Sequence, residues 1–149
     1  MSSSTTSESG YEYCDHPADI QLHSWGHSLE SAFDSVGQAL MNYSSNLDRV
    51  DPDPEQTQEF DVQGFDMENM LYRFLEEILF LFQTDHFITK KAKITNLDCD
   101  NFRVTGVLEG EVFNPKKHEK GADIKAITYS AMRIEQVENV YHIYVIVDI

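Results

Sequence analysis

Most side chains able to do chemistry here are carboxylates, and few fall in a pattern that a familiar reaction or cation requires. Asp51, Asp53 and Glu55 alternate as in a calcium loop, but Gln56 stands where that loop turns on a glycine and Val62 where it ends on a bidentate glutamate. Asn96, Asp98 and Asp100 fail in the same way, with Asn101 and Val107 at those places, and read better as a hairpin turn. His16, His23 and His27 are close in sequence, yet strand and cap positions do not make them converge on a zinc ion. Glu76 and Glu77 are helix neighbours that do not share a face, which argues against paired acid and base work. There is no glycine-rich phosphate loop, no GxSxG elbow and no Cys-x-x-Cys. Cys14 and Cys99 are too few and too far apart for a disulfide framework or a structural zinc site, and both read as buried thiols.

Bulk charge narrows the function classes. The formal net charge is -15, and residues 1–89 hold 17 acidic side chains against only Arg49 and Arg73, whereas residues 90–149 hold nine of each sign. Nucleic-acid binding replaces phosphate counterions with Lys and Arg, which this surface cannot do over a large area, so direct RNA or DNA binding is not expected. An acidic protein is instead steered toward basic protein surfaces. The apolar run Ile78 to Phe82 is far short of the ~20 residues of a membrane helix. The Ser- and Thr-rich segment 1–10 has neither a basic cluster nor an apolar run. The expectation is a soluble intracellular protein with a disordered tail over 1–10 and one domain over 11–149.

The elements that must position any site follow from periodicity. Tyr11 to Cys14 and Ile20 to Trp25 read as strands around the loop Asp15-His16-Pro17-Ala18-Asp19, with Ile20, Leu22 and Ser24 on one face and Gln21, His23 and Trp25 on the other. Ser28 is placed to cap a helix carrying Leu29, Ala32, Phe33, Val36, Leu40 and Tyr43. Phe60 and Val62 mark a strand. Asp66 caps a second helix whose apolar face, from Met70 to Phe82, is broad enough to make it central. Strands are expected near 91–99, 102–108, 111–113, 123–127, 129–137 and 141–148, the last apolar at nearly every residue and so a buried central strand. This order predicts a single α+β domain with two main helices packed on a mixed or antiparallel sheet.

Two stretches go beyond composition. Tyr11-Glu12-Tyr13-Cys14-Asp15-His16-Pro17-Ala18-Asp19-Ile20, together with Lys125-Ala126-Ile127-Thr128-Tyr129-Ser130-Ala131-Met132 and the ending Val145-Ile146-Val147-Asp148-Ile149, closely resembles the archease family. That family has Tyr or Phe before an Asp-His-Thr-Ala-Asp run, a Lys-Ala-x-Thr-Tyr motif and a close at Asp-Ile. The likeness in order and spacing covers nearly all of the chain after residue 10, including Trp25-Gly26. Pro17 stands where the family usually has threonine, which removes a hydroxyl but leaves both flanking acids.

The resemblance implies a protein activator of an RtcB-type RNA ligase and its tRNA-splicing ligase complex, in cytoplasm and nucleus. Such an activator promotes guanylylation of the ligase by GTP and supports multiple turnover, without being an enzyme itself. Carried over by position, Asp19, Asp148 and Ile149 would form a divalent-metal site, with calcium first and magnesium or manganese as alternatives. Asp19, Lys125 and Asp148 would be the activating residues. The chemistry agrees. Two carboxylates and the α-carboxylate of Ile149 are hard oxygen donors, and three negative groups held together require a cation or a basic partner. Read from the residues alone, Asp19 would cap a loop, Asp148 would face water and Lys125 would be an ordinary strand lysine. Two other functions stand beside this one: a general chaperone or protein-interaction module using apolar surface on the second helix, and a metal-dependent hydrolase, for which no motif places a base or an electrophilic arginine near these acids.

Overall fold

Ser28 and Asp66 open the two helices, as their short oxygen-bearing side chains favour. Before α1 (Leu29–Ser44), Ser28 Oγ accepts from the Ser31 N–H at 3.1 Å while Ser31 Oγ accepts from the Ser28 N–H at 3.2 Å, closing a reciprocal cap. Before α2 (Met67–Asp85), Asp66 Oδ1 accepts from the Asn69 N–H at 2.7 Å. The computed structural model describes residues 9–16 and 19–149. Pro17 therefore lies outside the described residues, as do 1–8 of the expected tail; Gly10 already opens the first strand.

The strands form two antiparallel sheets. In the larger, β1 (Gly10–His16) pairs with β2 (Asp19–Gly26), and β2 pairs with β8 (Val140–Asp148). The far edge of β8 is shared by β6 (Ala126–Ile127) and β7 (Arg133–Val137). In the smaller, β5 (Arg103–Val112) lies between β3 (Gln58–Gln63) and β4 (Phe87–Asp98). The expected α+β architecture holds, and every strand pair is antiparallel.

One core joins the layers, with the Phe74 ring meeting those of Phe33 and Phe60 at 5.3 and 5.5 Å between centroids. α1 packs on β2 of one sheet and on β4 of the other. Its buried residues, among them Ala32, Ser35, Gly37 and Ala39, run around much of its circumference, so α1 is the enclosed helix. α2, expected to be central, contributes Met70, Leu71, Phe74, Leu75 and Ile78 to the core but leaves Arg73, Glu76, Phe80 and Thr84 exposed. The helices approach closely at Gly37, where an added Cβ would lie 3.0 Å from Ile78 Cδ1.

Other expectations change for local reasons. The segments 102–108 and 111–113 are one strand, β5, because Gly110 continues the ladder opposite Thr89 beside a bulge in β4. Cys14 and Cys99 are exposed, not buried: the first lies on the outer face of an edge strand, the second in the β4–β5 turn. That turn is built as expected, with Asp98 Oδ1 accepting from the Asp100 and Asn101 N–H groups at 2.9 and 3.1 Å. β8 is central in its sheet, but only Ile143, Val145 and Val147 are fully buried; Tyr141, His142, Tyr144 and Ile146 are half-buried.

Candidate functional site

Strand register brings distant residues to one end of the larger sheet. Asp19 opens β2 and is the direct cross-strand partner of Asp148, which closes β8; Ala126 of β6 is the partner of Asp148 on its other side. Lys125, just before β6, donates its backbone N–H to the Asp148 carbonyl at 2.8 Å. In β2 the buried residues Ile20, Leu22 and Ser24 point to the core, so Asp19 shares the opposite, outer face with Gln21, His23 and Trp25. Asp148 alternates with buried Val147 and likewise belongs to the outer face. Side chains directly opposite in an antiparallel pair have Cβ atoms roughly 4.5–5.5 Å apart, so two carboxylates meet on one surface.

Lys125 is set by the strap that carries it. Thr128 donates both its N–H, at 3.0 Å, and its Oγ1 hydroxyl, at 2.8 Å, to the Ile146 carbonyl. Tyr129 stacks on Tyr72 of α2 with centroids 4.4 Å apart and planes 8° apart, and its hydroxyl accepts from Asn69 Nδ2 at 2.7 Å. Asn69 also accepts the Phe65 N–H through Oδ1 at 3.2 Å, which ties the strap to the start of α2. The motif Lys125-Ala126-Ile127-Thr128-Tyr129 is therefore a short edge strand pinned at its far end, with exposed Lys125 on the rim of a groove of about 460 Å³. Tyr72, Glu76, Glu77 and Phe80 of α2 line the other wall.

The register brings Asp19, half-buried, opposite Asp148, exposed; Ile149 is half-buried against the core, and Lys125 joins Asp148 through the backbone while its side chain lines the groove along α2. Two opposed carboxylates attract a cation or a basic group and suit hard, oxygen-preferring cations better than zinc. Among the described residues no three or more His, Cys, Asp or Glu side chains gather as a metal cluster. Of the three histidines, the side chain of His16 lies outside the described residues. His23 Nε2 lies 2.9 Å from His142 Nδ1, whereas His27 Nδ1 is 3.2 Å from the Asn139 carbonyl oxygen. Of the acidic run 51–55, Asp53 accepts from the Glu55 N–H and the Gln56 amide at 2.9 Å each, and Asp51 pairs with Lys117.

Reading the sequence missed one grouping on the outer sheet face: Trp25, His23, Tyr144, His142 and Arg133. Its signal was present in β8, where apolar and aromatic residues occupy both alternating sets although only one set can face the core.

The archease protein family matches residues 11–149. A "Protein archease-like" of Drosophila melanogaster is 46% identical over 145 residues, covering 95% of this chain and 92% of the relative. A "Protein archease" of Danio rerio is 42% identical over 140 residues, covering 93% and 85%. The solution structure of protein 1598 of Methanobacterium thermoautotrophicum superposes with a TM-score of 0.77 at 25% identity, covering 94% of this chain and 99% of that one. A crystal structure from Thermotoga maritima, of an archease described as a possible chaperone, gives a TM-score of 0.57 at 19% identity over 91% and 94%, a likeness of fold.

Proposed function

The chain belongs to the archease family, and on that premise we propose that it is a protein activator of an RtcB-type RNA ligase in tRNA splicing. It raises guanylylation of the ligase by GTP and supports multiple turnover, and it is not itself an enzyme. The observation that supports this most is the register that places Asp19 opposite Asp148, with the Lys125 backbone N–H donating to the Asp148 carbonyl. The three sit at a sheet end, where they can meet a partner's surface without disturbing the core. A net charge of -15 favours a basic protein partner over direct RNA contact.

In this reading Asp19, Asp148 and Ile149 hold a divalent cation, calcium first and magnesium or manganese next. The cation would neutralise the opposed carboxylates and offer a positive centre at the sheet edge. The donor set fits such an ion, since carboxylates are the ligands hard cations prefer. Lys125 adds an exposed positive charge at the same sheet end, on a strap that Thr128 and Tyr129 hold in place.

The test is direct: the purified chain is added to a matched ligase with GTP, and the covalent ligase–guanylate is measured. An increase in its yield or rate, lost in Asp19→Asn, supports the reading; no effect of the wild-type chain overturns it. The chaperone reading has exposed Phe65 and Phe80 in its favour. A chaperone would suppress aggregation of unrelated clients at near-stoichiometric amounts, whereas an activator acts on one partner.

A further inference from the structure

The outer face of the five-stranded sheet carries side chains of a kind that usually face the inside of an interface. Going outward from β8, this face presents His142, Tyr144, Ile146 and Asp148; β2 adds Asp19, Gln21, His23 and Trp25, β1 adds Glu12, and β7 adds Arg133 and Glu135. α1 packs on the other side of this sheet, and no helix or strand among the described residues lies over its outer face.

The planar groups on this face hold one another. The Arg133 guanidinium carbon sits 3.8 Å from the centre of the Tyr144 ring. Tyr144 stacks on His23 at 4.3 Å with planes 7° apart, and Trp25 meets the same His23 ring at 5.1 Å. Hydrogen bonds fix the rings further. Glu12 Oε2 lies 2.8 Å from His23 Nδ1, which makes that nitrogen the donor, and His23 Nε2 lies 2.9 Å from His142 Nδ1. Trp, Tyr and Arg are the residue types that dominate binding energy at interfaces, and a set already locked in place loses little freedom when covered.

Charge decides what covers it. The face holds Glu12, Asp19, Glu135 and Asp148 against Arg133, and Arg133 Nε is itself bound to Glu135 at 3.0 Å. An aromatic sheet face can stack nucleic-acid bases, but this one would repel their phosphates. The complementary occupant is a protein surface with basic groups around an apolar or planar centre. Position favours the same partner as the carboxylate pair: His23 lies four residues along β2 from Asp19, roughly 13 Å away at the usual strand rise, well within one interface of about 800 Å² per partner.

Resting on the reading above, we propose that the outer sheet face is the docking surface for the ligase, with the Arg133–Tyr144–His23–Trp25 ladder as its anchor. Affinity for the purified ligase is measured by calorimetry, at low and moderate salt, for the wild-type chain and two kinds of variant. Tyr144→Ser removes the centre of the ladder and Tyr144→Phe restores its ring, while Glu12→Lys with Glu135→Lys reverses the exposed charge. Arg103→Ala, on the smaller sheet, is the control.

Tyr144→Ser and the charge reversal should each weaken binding at least tenfold. Tyr144→Phe and Arg103→Ala should bind within twofold of wild type, and the salt dependence of wild type should flatten in the charge-reversed chain. Thermal melting confirms that each variant is folded, and the charge reversal, confined to exposed side chains, carries the test if Tyr144→Ser is not. Wild-type affinity and stimulation in both variants overturn this proposal and leave the ligase reading intact. A wild-type chain that neither binds nor stimulates the ligase overturns both. A dimer or an RNA complex that the face variants abolish, with ligase affinity unchanged, assigns the face to a second copy or to RNA and likewise overturns it.

Discussion

Asp19 and Asp148 stand directly opposite one another across β2 and β8, both on the outer face of the sheet. Like charges in that relation destabilise a strand pair, which fits the proposed cation site better than a role in the fold. Asp148→Asn should therefore keep or raise the thermal midpoint while stimulation of ligase guanylylation falls roughly tenfold, the scale of one charged contact worth about 1.4 kcal/mol. Calorimetric titration with calcium, magnesium and manganese should show weakened binding in the same variant. Full stimulation by a folded Asp148→Asn chain would remove this residue from the site.

Lys125 and Thr128 separate charge from scaffold in the proposed site. Lys125→Ala removes the charge and should abolish most stimulation with the fold unchanged, because the side chain is exposed. Thr128→Val keeps the shape but loses the hydroxyl bond to the Ile146 carbonyl, an interaction worth about 1 kcal/mol. Its expected signature is a small drop in melting temperature with a partial loss of stimulation. Equal activity of Lys125→Ala and wild type would show that the strap serves only the fold.

The helix starts were readable from the sequence because capping is local: Ser28 and Asp66 are followed at once by the backbone groups they satisfy. The alternation of β2 was readable for the same reason. What failed depended on partners far away in sequence. β8 reads as buried on both faces, since sequence cannot say that His142 will meet His23 or that no layer will cover Tyr144 and Ile146. Cys14 and Cys99 read as buried from residue type alone, yet an edge strand and a turn expose them. α2 has the broader apolar face, but the small residues of α1 let two sheets close around it. Asp19, Lys125 and Asp148 were identified through the family resemblance, and no spacing rule joins them; the ladder register does.

Exposure does not make Cys99 reactive. Partial burial pushes its thiol up from the ordinary value, and Glu30, Asp100 and Asp98 push it further by disfavouring the thiolate. Alkylation by iodoacetamide should therefore reach its half-maximal rate at a pH above that of an unperturbed thiol, and Asp100→Asn should move the profile down. In mass-spectrometric mapping of labelled sites, an unshifted profile in Asp100→Asn would show that these carboxylates do not control the thiol.

Gly110 is required by close backbone approach. An added Cβ would run into the Ile88 carbonyl oxygen on β4, beside the bulge between Thr89 and Lys91, and backbone cannot swing aside as a side chain can. Gly110→Ala should cost about 1–3 kcal/mol, the usual range for forced overpacking, measured by urea unfolding. Gly37→Ala is the contrast. Its Cβ crowds the end of the Ile78 side chain and makes ordinary contact with the Phe74 ring, and the gain in helix propensity over glycine, about 1 kcal/mol, offsets the crowding.

Glu111 joins three segments, and its acid behaviour follows from how. Its Oε2 accepts from Lys117 Nζ at 2.6 Å, from the Asp51 N–H at 2.6 Å and from His118 Nε2 at 3.0 Å. The His118 side chain is fully buried, and its Nδ1 accepts from the Asn114 N–H at 2.8 Å, so the proton sits on Nε2 and points at Glu111. Burial of Glu111 would raise its pKa, but Lys117, the Asp51 N–H and His118 outweigh that and hold it at about 2, below its ordinary value of 4.5. A carboxylate whose folded value is depressed adds stability that is complete above its unfolded value and is lost as pH falls through its folded one. The loss should therefore run from about pH 4.5 down toward 2. Glu111→Gln keeps the size but sets an amide N–H₂ among groups that donate, and should cost about 1–3 kcal/mol at neutral pH. Urea unfolding at pH 7, 4 and 3 checks both effects: wild type should lose its advantage over Glu111→Gln as the pH drops. A difference between the two chains that stays constant from pH 7 to pH 3 would mean that Glu111 stabilises by shape and not by charge.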